Sequence, residues 1–126
     1  MVGETRTAAL LAKAVANDAA GFNAHEALHA ATLGGAKAMG FDHLVGSIEP
    51  GKQADLACVD LSALETQPLH NVVSQLIYAT GRHQVSDVWI AGAQKLRQRV
   101  LVDIDLDGVI ANSRQGRERI AKVETA

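Results

Sequence analysis

Gly46-Ser47-Ile48-Glu49-Pro50-Gly51-Lys52-Gln53-Ala54-Asp55-Leu56-Ala57-Cys58-Val59-Asp60-Leu61 decides how the chain is read. Pro50 presets φ for the first central position of a type II turn, and Gly51 accepts the positive φ that the second requires. Ala54 to Val59 is then short, apolar and partly β-branched, which predicts a buried strand ending at Asp60. Upstream the apolar residues recur at helical spacing. Downstream short strands alternate with helices. The segment is therefore a seam between a helical half, residues 1–45, and a sheet-bearing half, residues 46–126, in an α+β chain.

The 126 residues carry a net charge of −2 and are 48% hydrophobic, a composition that suits one globular domain. Phe22, Phe41, Tyr78 and Trp89 are the only aromatics, so Ala, Val, Leu and Ile must build the core. Acids and bases are interspersed, which argues against a nucleic-acid or anionic-membrane partner. No apolar run approaches the roughly 20 residues that span a bilayer. The start, MVGETRTAALLAKA, lacks the basic head and long apolar stretch of a secretory signal. Cys58 stands alone and cannot pair internally; its strand position predicts an inert core thiol. A cytoplasmic protein is expected.

Working outward, Ala8, Leu11, Ala12 and Val15 form the apolar stripe of a helix over residues 4–16, which stops near Asn17-Asp18. Asn23 is an N-cap and Glu26, three residues on, completes a capping box. That helix runs through Leu28, Ala31, Thr32 and Ala38 to a stop at Gly40, with Gly34 and Gly35 allowing close packing. Beyond the seam, 62–69 is a polar connection containing Pro68, and 71–79 a short helix ended by Gly81. Val85 to Ile90 is a strand, Ala91-Gly92 a tight turn, and Ala93 to Leu96 the return strand, with Val100 to Ile104 extending the sheet. Trp89, the largest hydrophobe, is expected to be buried. Leu106 to Val123 is a C-terminal helix whose Arg114, Arg117, Arg119 and Lys122 make a solvated basic face.

One motif has catalytic form. His25-Glu26-Ala27-Leu28-His29 is an H-E-x-x-H, which on a helix puts two imidazoles on one face for zinc and a carboxylate beside them as base. Asn23 as N-cap, however, places His25 in the first helical turn and gives Glu26 a capping role. Thr32 and Gly35 stand where an extended motif needs Gly and His. His43, His70 and His83 show no spacing that supplies a third ligand. GSIEPGK lacks the spacing of a phosphate loop, and Gln53 follows its Lys52. Asp55, flanked by Ala54 and Leu56, is read as satisfying backbone N–H groups of the adjoining turn. No residue is assigned a catalytic or metal-binding role, with His25, Glu26 and His29 as the minority metal site. The structural set is Gly46, Pro50, Gly51, Asp55, Trp89 and Gly92.

Several stretches together carry a family resemblance. They are Glu4-Thr5-Arg6-Thr7-Ala8-Ala9-Leu10-Leu11-Ala12-Lys13, Ala27-Leu28-His29-Ala30-Ala31-Thr32, Gly35-Ala36-Lys37-Ala38-Met39-Gly40 and Gly46 to Lys52 with Ala54-Asp55-Leu56. Val85, Asp87-Val88-Trp89-Ile90 and Gly92 follow in the same order. Over nearly its whole length the chain resembles the C-terminal part of the metal-dependent amidohydrolases. The branch is the one holding cytosine-deaminase-like enzymes, methylthioadenosine/S-adenosylhomocysteine deaminases and triazine chlorohydrolases.

The resemblance implies the last helices of a (β/α)₈ barrel, followed by the C-terminal strands and helix of a small composite β-domain. It implies zinc or iron in the full-length enzyme, held by an H-x-H pair, later histidines and an aspartate. The H-x-H pair is absent here, and the aspartate would lie in a segment where this sequence has only Met1, Val2 and Gly3 ahead of Glu4. The first expectation is thus a structural piece of a deaminase or chlorohydrolase of a nitrogen heterocycle. Barrel-type helices without barrel strands leave apolar faces and strand edges open, which predicts a homo-oligomer or a complementary chain supplying the barrel. The alternatives are a non-enzymatic α+β interaction module and, behind it, a minimal zinc hydrolase on His25, Glu26 and His29.

Overall fold

A computed structural model describes residues 2–124, with side chains over 2–121. Helix α1 spans Val2–Ala16 and α2 spans Ala24–His29. The π-helical turn Ala30–Gly34 joins α2 to α3, Gly35–Ala38. After strand β1, Leu56–Val59, come a 3₁₀ turn at Leu64–Thr66, the short helix α4 at Val72–Ser74 and a second π-helical turn at Gln75–Ala79. A 3₁₀ turn at Arg82–Gln84 leads into β2, Val85–Ile90; β3, Ala93–Arg97, β4, Val100–Leu101, and α5, Leu106–Glu124, follow. The strands form one antiparallel sheet in the order β1-β2-β3-β4. Lys122 and Val123 lie outside the described side chains, so the basic face is observed only at the exposed Arg114, Arg117 and Arg119.

The helical layer draws on both sides of residue 45. Ala9 of α1, Ala24 and Ala27 of α2, and Ile77 of the second π-helical turn make its buried centre. Arg6 donates from Nη2 to the Thr80 carbonyl at 2.6 Å and from Nε toward that of Ile77 at 3.4 Å. A cation thus sits where a helical segment leaves its last carbonyls without partners. Lys13 donates to the carbonyls of Ala19 and Gly21, closing the chain behind α1.

The expected apolar stripe of α1 is present and lies on the side away from this contact, left open as barrel-type helices without barrel strands imply. Leu11 is 60% and Val15 79% exposed, and Ala8 also faces water. The buried face is the one carrying Arg6, Ala9 and Lys13. Apolar spacing finds a helix, but it names the buried side only when the aliphatic side is the covered one. The helix expected over 23–38 is also broken by the π-helical turn at Ala30–Gly34. The room that Gly34 provides is taken by the His29 imidazole rather than by a neighbouring helix, since a Cβ there would stand 3.0 Å from Nδ1.

The turn at the seam has the expected form. Gly51 takes φ +92°, and the Lys52 amide donates to the Glu49 carbonyl at 3.2 Å. The strand after it is shorter than expected, beginning at Leu56. Neither face of this sheet is covered by a second layer among the described residues. As a result Ala57 and Cys58 are exposed and Trp89 is only half-buried, which corrects the readings of a buried strand, a core thiol and a buried Trp. Of Val100 to Ile104, Val100–Leu101 forms the paired strand, and the Val102 amide adds one bond to the Lys95 carbonyl at 3.1 Å. The Ala91-Gly92 turn has both residues at positive φ, +49° and +80°, as a tight hairpin with right-handed twist requires.

Arg99 fastens the sheet to the connection. Its Nη2 meets Asp60 Oδ2 at 2.9 Å, its Nε donates to the His83 carbonyl, and its backbone N–H donates to Ser86. Asp60 Oδ1 accepts from the hydroxyl and amide of Ser62. Those two Ser62 donors first, then Arg99, hold the Asp60 carboxyl well below the usual carboxylate range. Among the described residues no helix is long and apolar enough to cross a membrane.

Two outcomes follow from this geometry. Gly46 has φ +96°, and a Cβ there would stand 2.8 Å from that of Ala36 and 2.9 Å from the Leu33 Cα, whereas the space around Gly51 is open. Gly51→Ala should therefore cost only the backbone strain, about 1–2 kcal/mol, and Gly46→Ala about 1–3 kcal/mol more from overpacking; urea unfolding of both variants reads the difference. Asp60, with its folded pKa depressed, contributes stability that is whole above the ordinary aspartate value near ~4 and is lost as pH falls below it. Ser62→Ala should flatten that acid limb by lowering the neutral plateau while changing the stability near pH 2 least, as urea midpoints measured between pH 2 and pH 7 would show.

Candidate functional site

The H-E-x-x-H segment forms α2 and the entry to its π-helical extension. Asn23 caps it: its Oδ1 accepts from the amides of His25 and Glu26 at 3.0 and 3.2 Å. Glu26 returns the contact, its Oε2 accepting from the Asn23 amide at 2.7 Å. The reciprocal capping box read from the sequence is thus present. His25, Glu26 and His29 line one shallow, open depression of about 430 Å³ with Phe22 and Ala30.

The donor chemistry at this depression does not fit a catalytic metal. The carboxylate that an H-E-x-x-H hydrolase needs as a base is held by the backbone. The His29 ring lies against Gly34, one turn toward the C-terminal end. No group of three or more His, Cys, Asp or Glu able to hold a metal ion occurs among the described residues. His43 and His70 are exposed on connections, and His83 instead faces Glu65, Nε2 to Oε1 at 3.6 Å.

The structural set clusters around the seam. Ser47 donates to Glu49 at 2.6 Å and Lys52 to Ser47 at 2.6 Å, while the Gln53 amide closes the loop on the Leu44 carbonyl at 2.8 Å. The Ser47 hydroxyl first, and then the Lys52 charge, lower the Glu49 pKa. Asp55 Oδ1 accepts from the Ala91 amide, and the Gly92 amide donates to the Ala54 carbonyl. The turn that Asp55 serves is therefore the β2–β3 hairpin, 36 residues away in sequence, and Trp89 pairs with Leu56 beside it. Arg6 and the Arg99–Asp60 pair were not singled out from the sequence. An Asp60-x-Ser62 spacing is a legible sign of an Asx turn, but nothing local marks Arg6 or Arg99 as partners of distant carbonyls.

Residues 1–95 match the family model for the amidohydrolase family. The chain belongs to the amidohydrolase family. It is 47% identical over 120 residues to a 5-methylthioadenosine/S-adenosylhomocysteine deaminase of Teredinibacter turnerae, covering 95% of this chain and 27% of that one. Among solved structures, an adenosine deaminase of Xanthomonas campestris with bound zinc superposes with a TM-score of 0.92 at 67% identity, covering 97% of this chain and 28% of that one. The zinc complex of an atrazine chlorohydrolase from Arthrobacter aurescens superposes with a TM-score of 0.80 at 29% identity, covering 91% and 26%. The chain thus spans about a quarter of the length of these relatives. Its helices and four-stranded sheet are that portion of an amidohydrolase fold.

Asn23→Ala removes a reciprocal cap and is expected to cost about 1 kcal/mol, whereas the exposed His25→Ala should stay within about 0.5 kcal/mol. Equilibrium unfolding in urea distinguishes the two.

Proposed function

We propose that this chain is the scaffold share of a metal-dependent amidohydrolase that releases ammonia from an adenine nucleoside by hydrolysis, in the class of 5-methylthioadenosine and S-adenosylhomocysteine. The observation that carries the reading is the 67% identity, over 97% of the chain, to a zinc-bound adenosine deaminase. Triazine hydrolases share the fold at 29–30% identity, so chlorohydrolysis has less support. A free-standing interaction module is not favoured either, since the match to enzymes runs through nearly the whole chain.

On this reading the chain contributes no reacting group. Its work is to hold helices and strands against the remainder of the fold, which carries the zinc or iron and the substrate pocket. Fold likeness gives a reaction class, and the site gives the substrate; the choice of an adenine nucleoside therefore leans on sequence identity. The interspersed charge and the lone, exposed Cys58 suit a cytoplasmic enzyme.

The test is a chimera in which this chain replaces the matched stretch of the Xanthomonas campestris deaminase. The expected result is zinc-dependent release of ammonia from adenosine or 5′-methylthioadenosine near the parent rate, no dechlorination of atrazine, and no turnover by the isolated chain. A folded, zinc-loaded chimera inert toward these nucleosides would sink the proposal.

A further inference from the structure

We draw no further inference here: the strongest candidate, the acidic loop Asp103-Ile104-Asp105-Leu106-Asp107-Gly108 that runs from the end of β4 into α5 with the alternating carboxylates and sixth-position glycine of a calcium loop, carries nothing, because Asp103 is paired with Lys95 at 2.8 Å, Asp105 accepts from the Gly108 amide at 3.0 Å, Arg114 stands at the twelfth position where such a loop has its Glu, and no group of three or more such ligands able to hold a metal ion occurs among the described residues.

Discussion

The helical layer depends on contacts made through methyl groups. Ala9, Ala24 and Ala27 meet Ile77, and among the described residues only Ala36 joins them as a buried hydrophobe. Alanine lets backbones approach closely, but it removes little apolar area from water, and stabilisation scales with that area. Directional bonds therefore carry more of the load than in an ordinary core. Arg6 and Lys13 flank Ala9 on one side of α1; Arg6 donates to a carbonyl at the end of the second π-helical turn, and Lys13 to two carbonyls of the connection that follows α1. Hydrogen bonds to a charged donor are worth more than neutral ones, roughly 1.5–3 kcal/mol each. The inner face of α1 is thus polar, small and polar in turn, and its aliphatic residues are left for the outer face.

The sheet obeys the same limit. A stable domain stacks at least two layers over a shared apolar interior. Here β1 to β4 form one layer, and the fastening comes from its ends and turns. Asp55 holds the β2–β3 hairpin at one end of β1. Asp60 holds Arg99 at the other, with Ser62 fixing the carboxylate. These are bonds of position more than of burial, and they keep strands in register while leaving both faces free for another layer.

Local geometry was legible in the sequence because single residues decide it. Asn23 with Glu26 announces a capping box, Pro50-Gly51 a turn, and Ala91-Gly92 a hairpin, and each is present with the expected bonds or dihedrals. Burial was not legible in this way. Cys58, Trp89, Leu11 and Val15 have the composition of core residues and are exposed or half-exposed. Periodicity records what a residue is suited to touch, and it presumes that the touching surface lies within the same chain. In a chain that spans about a quarter of its relatives' length that presumption does not hold for α1, whose aliphatic stripe faces water. The π-helical turns escaped for a different reason: a one-residue widening leaves apolar spacing almost unchanged over so short a span.

The H-E-x-x-H segment shows how the two kinds of information are to be ranked. As a pattern it proposes zinc chemistry. As local physics it proposes a cap, because the first amides of a helix lack partners and a carboxylate at the third position is well placed to supply one. The cap takes one oxygen of the Glu26 carboxylate and fixes the direction of the side chain. A base must turn its oxygens toward the reacting centre, and Glu26 turns one back to its own N-cap amide at 2.7 Å. His29 lies in the space that Gly34 leaves, so the helix widens around it where a metal-bearing helix would hold both rings free on one face. The residues that make the motif are therefore accounted for by the start of one helix and the widening at its end, and the family relationship needs nothing further from them.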